Sequence, residues 1–80
     1  MVTPESIHAN IAQGMATECL SVSGDGAHFE AVVVSAEFAG KNRVQRHQRV
    51  YQTLGDRMRE EIHALSIKTY TPDEWQKQAN

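Results

Sequence analysis

A single cysteine, Cys19, stands in this chain of 80 residues. No intrachain disulfide is possible, which fits a reducing compartment, and no self-contained Cys-rich metal site can be built. In ATECLSVS, Cys19 reads as a small, half-buried strand residue. Aromatic residues are scarce, with two Phe, two Tyr and one Trp. The longest apolar run, AVVVSA, is far too short to span a bilayer, so no membrane association is expected. MVTPESIHANIAQG lacks a basic n-region and an apolar h-region. No secretory leader is therefore expected, and the cytoplasm is the expected location. Low-complexity tracts and internal repeats are absent. So are the nucleophile elbow, the H-E-x-x-H pair and the Walker loop, and no enzymatic activity is expected. Glu60 and Glu61 precede His63, but adjacent acids closing a helix before a strand read as solvated. At this length about 60% of the unfolded surface can be buried, so a single thin-cored domain over 1–80 is expected.

The formal charge of −2 conceals an uneven distribution. Between 41 and 59, Lys41, Arg43, Arg46, Arg49, Arg57 and Arg59 face one acid, Asp56. The remainder is acidic. Such a segment attracts phosphates or an acidic partner, or it is a solvated helix face.

The hydrophobic pattern predicts the order α-β-β-α-α-β-α. Thr3 is an N-cap with Pro4 at the first helical position, Ile7, Ile11 and Met15 recur at helical spacing, and Gly14 helps to end the helix. Residues 17–23 and 28–36 read as strands joined by the SGDG turn, a hairpin. Residues 35–40 are a connector. Asn42 caps a helix over 43–53, on which Val44, His47, Val50, Tyr51 and Leu54 share an apolar face, with Arg46 and Arg49 opposite. Gly55 breaks it, and a short helical piece over 56–61 follows. Residues 62–70 form the third strand. Thr71 and Glu74 make a capping box around Pro72, opening a last helix that carries Trp75. Three strands with a helical crossover between the second and third predict a mixed sheet with one parallel pair, an α+β domain. The expected core is Ile7, Ile11, Leu20, Val22, Val33, Val44, Tyr51, Leu65 and Ile67.

VVVSAEFAGKNRVQRHQRVY followed by IHALSIKTYTPDEW closely resembles the BolA-like proteins, and the hairpin VSGDGAHFEA is most similar to their bacterial IbaG (YrbA) subgroup. The resemblance covers about nine-tenths of the chain. It implies a fold similar to a type II KH domain, agreeing with the element order above. It also implies a partnership with a monothiol glutaredoxin, with which a [2Fe-2S] cluster is shared in iron–sulfur trafficking and iron regulation. The glutaredoxin thiolate and glutathione would supply the other ligands. Some members of the family are described instead as DNA-binding transcriptional regulators in stress response and morphology.

By strand parity alone, His63 falls with Leu65 and Ile67 and reads as an inward core histidine. The resemblance reverses this, because the family's cluster histidine occupies the same I-H-A-L context, and imidazole is a competent iron ligand. In relatives a His or Cys lies in the hairpin loop, and the corresponding position here is Asp25, a hard ligand poorly suited to an iron–sulfide core. His28 is the nearest soft donor and is the expected second ligand, with Asp25 as the alternative. His47 reads as a hydrogen-bonded core histidine and His8 as surface. For nucleic acid, the resemblance and the charge point to Lys41, Arg43, Arg46 and Arg49. No G-x-x-G backbone clamp lies between two helices, so a solvated helix face or a glutaredoxin-docking face is at least an equal reading. On its own the protein is expected to be a monomer.

Overall fold

The computed structural model describes residues 2–79, with the Ile62 side chain outside that description. Helix α1 spans Pro4–Gly14. Thr3 Oγ1 accepts from the Ser6 N–H and Ser6 Oγ from the Thr3 N–H, both at 3.0 Å, so the first turn's orphan donors are satisfied locally. Strands β1 (Cys19–Gly24) and β2 (Phe29–Val34) form the expected antiparallel hairpin. Helix α2 spans Arg43–Leu54, opened by a reciprocal Asn42–Gln45 capping box. Gly55 closes it with φ 58° and ψ −137°, a conformation that favours glycine. Strand β3 (Leu65–Tyr70) pairs parallel to β2, and α3 spans Pro72–Ala79. The sheet order is β1-β2-β3, the mixed three-stranded sheet expected.

The crossover is less regular than expected. Instead of a second α-helix it contains two 3-10 turns, Gly55–Met58 and Ile62–Ala64. A further 3-10 turn occupies Ala36–Phe38. Strand β3 therefore begins at Leu65, and His63 lies in the turn before it.

Ile7 and Ile11 of α1, Val50 and Leu54 of α2, Phe29, Ala31 and Val33 of β2 and Leu65 and Ile67 of β3 form one buried cluster. Leu20, Val22 and Tyr51 pack against it, half-buried. Val44 does not belong to it and is 63% exposed. The buried face of α2 is centred on Val50, rotated towards Arg46 and Arg49. Both arginines are consequently half-buried rather than solvated. Met15 after α1, and Phe38 and Met58 from segments without hydrophobic periodicity, join the core. Gly14 allows α1 to approach α2 closely, since a Cβ there would lie 2.7 Å from Thr53 Cβ. Cys19, expected to be half-buried, is exposed.

Candidate functional site

Two features converge on β3, one at each end. The first follows from the register. Phe29 is paired with Leu65 across the parallel β2–β3 ladder. His28 precedes Phe29 by one residue and His63 precedes Leu65 by two, so both histidines stand at the same end of neighbouring strands, whose axes are about 4.8 Å apart. Both are exposed. The inward placement that parity suggested for His63 fails because Ile62–Ala64 is a 3-10 turn, where strand alternation does not apply.

Asp25 lies in the same loop with a different task. Its Oδ1 accepts from the N–H groups of Ala27 and His28, each at 2.9 Å. These bonds hold the carboxyl below its usual pKa, with His28 the larger contributor. Asp25 thus shapes the turn that carries His28. Among the described residues no group of three or more His, Cys, Asp or Glu could hold a metal ion. An iron–sulfur cluster, which needs four ligands in all, fits this end only if a second molecule completes the set.

The second feature is a groove of ≈ 560 Å³ where the start of α2 and of α3 meets the far end of β3. Lys41, Arg43, Arg46, His47, Lys68, Tyr70 and Glu74 contribute to its walls. Lys41, Arg43 and Lys68 are exposed. All three Arg46 nitrogens are engaged: Nε donates to the Lys41 carbonyl at 2.8 Å, while Nη1 and Nη2 donate to the two Glu74 carboxylate oxygens at 2.7 and 3.3 Å. Its guanidinium lies 5.9 Å from the centre of the Phe38 ring, within cation–π range. Arg49 points elsewhere, donating to Glu37 at 2.9 Å and to the Gly14 carbonyl at 3.0 Å. Glu37 also accepts from the Ala16 N–H, and this bond, followed by Arg49, lowers its pKa.

Of the four basic residues expected to meet nucleic acid, the structure brings Lys41, Arg43 and Arg46 into one groove and diverts Arg49 to the α1–β1 link. His47 is half-buried on the groove wall. Partial burial, and secondarily Arg43, push its pKa down. His8 is exposed, as expected. Lys68, outside the basic segment 41–59, joins the groove from β3, and its outward strand parity is visible in the sequence. In the sequence Glu74 shows only as a cap. It does accept from the Thr71 N–H at 2.8 Å, but its ion pair joins residues 28 positions apart and leaves no local signal.

A sequence model of the family described as BolA-like protein matches residues 2–74. The chain belongs to the BolA-like family. It is 40% identical over 70 residues to the acid stress protein IbaG of Escherichia coli K12, covering 86% of this chain and 83% of that protein. It is 47% identical over 55 residues to the DNA-binding transcriptional regulator BolA of Haemophilus influenzae, covering 69% of this chain and 53% of that one. The chain spans about half the length of the BolA regulators it matches. Among solved structures, a bolA protein homologue from Coxiella burnetii superposes with a TM-score of 0.81 at 48% identity, covering 95% of this chain and 99% of that one. The BolA-like architecture expected from the sequence is therefore the observed one. Relatives are named as regulators and stress proteins rather than enzymes. Among the described residues no helix is long and apolar enough to cross a membrane.

Proposed function

We propose that this protein is a non-enzymatic partner of a monothiol glutaredoxin, co-ligating a bridging [2Fe-2S] cluster through His63 and His28 in cytoplasmic iron–sulfur trafficking and stress response. The observation that carries this reading is the parallel register that sets two exposed imidazoles at one end of the sheet. His28 is preferred to Asp25 because the Asp25 carboxylate already accepts two backbone hydrogen bonds in the loop, and imidazole is the better iron ligand here. A bound cluster supplies a transferable iron–sulfide unit. The chain supplies imidazole donors and a loop that presents one of them. The glutaredoxin thiolate and glutathione supply the remaining ligands. Mixing the protein with a cluster-loaded glutaredoxin should change the visible absorption and circular dichroism of that cluster. Retention of the full change by His63→Ala would remove His63 from the ligand set.

A second reading, nucleic-acid binding, is supported by the cationic groove and by the names of the BolA regulators. Among the described residues its cations outside an ion pair are Lys41, Arg43 and Lys68, since Arg46 is paired with Glu74 and Arg49 lies outside the groove. Binding should weaken steeply with salt. A Lys41/Arg43/Lys68→Ala triple variant should lose it without breaking either α2 ion pair. No binding of a DNA duplex at low salt would remove this reading.

A further inference from the structure

Arg46 has the layout of a preformed anion site. Its Nε–H is fixed by the Lys41 carbonyl, and its plane lies near the Phe38 ring. The two remaining donor nitrogens address the groove as a bidentate fork, the geometry that suits carboxylate and phosphate oxygens. Glu74 fills that fork from within the chain. Its helix is lightly held. No α3 residue is fully buried; the Glu74 ion pair and half-buried Trp75 against Tyr70, with ring centres 5.2 Å apart, help to tie it to the body of the domain. The groove around the fork also carries Lys41, Arg43 and Lys68, so an incoming polyanion meets more positive charge than Glu74 alone neutralises.

We propose that the Arg46 fork is a site for a backbone phosphate of nucleic acid and that Glu74 is its built-in competitor, so that phosphate displaces Glu74 and loosens α3. This rests on the nucleic-acid reading of the groove and adds its regulation. Glu74→Gln keeps an oxygen acceptor for the Thr71 cap while removing the carboxylate. Asp73→Asn makes the same change of net charge one residue away, outside the Arg46 ion pair.

A labelled DNA duplex is titrated at low salt into the wild type and both variants, with α3 amide exchange followed in parallel. Glu74→Gln should bind roughly two- to fivefold tighter, the range set by one partly exposed ion pair. Asp73→Asn should bind much as the wild type. DNA should accelerate α3 exchange in the wild type, and Glu74→Gln should exchange fast without it. Equal tightening in both variants, or none in Glu74→Gln, overturns the competitor role while leaving the nucleic-acid reading in place. If no form binds DNA, that reading falls, and sodium pyrophosphate decides the competitor role separately. Faster α3 exchange in the wild type than with sodium chloride of equal ionic strength supports it, and no difference overturns it.

Discussion

Arg46 and Arg49 leave the same helix and end on carboxylates from other elements, Glu74 and Glu37. The Arg46 hydrogen bond, with the Thr71 N–H next, holds the Glu74 pKa down at about 2. A depressed carboxyl stabilises the fold above its unfolded pKa, and that contribution is lost as pH falls through the folded value. For Glu74 the window runs from about pH 5, just above the usual glutamate range, down to about 2. Because Glu74 is 47% exposed, solvent screens part of the effect. Glu74→Gln should therefore lose less stability than the wild type between pH 5 and pH 3, read as the shift in urea midpoint. Equal losses would show that the pair does not couple to folding. The caps at Thr3, Asn42 and Thr71 were legible in the sequence because a cap and its partner lie within three residues. The ion pairs were not, since their partners are set by how helices and turns dock.

Helix α2 was legible as an element, with its Asn42 cap and Gly55 stop, but its buried face was not placed correctly. Periodicity located an apolar stripe from Val44 to Leu54. Docking selected the part centred on Val50 and rotated Val44 into solvent. Arginine stems can cover apolar surface while their heads find partners, so a half-buried arginine face satisfies the helix as well as a valine would. Val50→Ala should cost about 2 kcal/mol, one buried side chain's lost methyl groups plus a cavity. Val44→Ala should stay within about 0.5 kcal/mol. Chemical denaturation of both variants checks this, and similar costs would contradict the rotated face. The crossover departs from the expected helix for a related reason. Residues 55–64 have no 3.6-residue repeat, and their structure follows from burying Met58 while feeding β3 in parallel.

Across the whole molecule, β3 links two exposed sites with different chemistry. His63 lies before the start of β3 and Lys68 three residues into it, roughly 10 Å of extended chain beyond Leu65, so the histidine end and the cationic groove are separate surfaces. The topology that creates the histidine end was legible, because the hairpin followed by a crossover leads to a parallel pair. The His28–His63 proximity needed the register itself, which no local pattern carries. With no described cluster of three potential ligands, the protein incubated anaerobically with iron and sulfide but without a partner should remain colourless. A stable brown monomer would contradict the shared-ligand account. The most direct test is pulsed electron paramagnetic resonance of the reduced cluster in the complex with glutaredoxin, counting strongly coupled nitrogens. The account predicts two nitrogens in the wild type, one after His28→Ala, one after His63→Ala, and both retained after Asp25→Ala provided the loop holds. No strongly coupled nitrogen in the wild type, or two surviving His63→Ala, would contradict it.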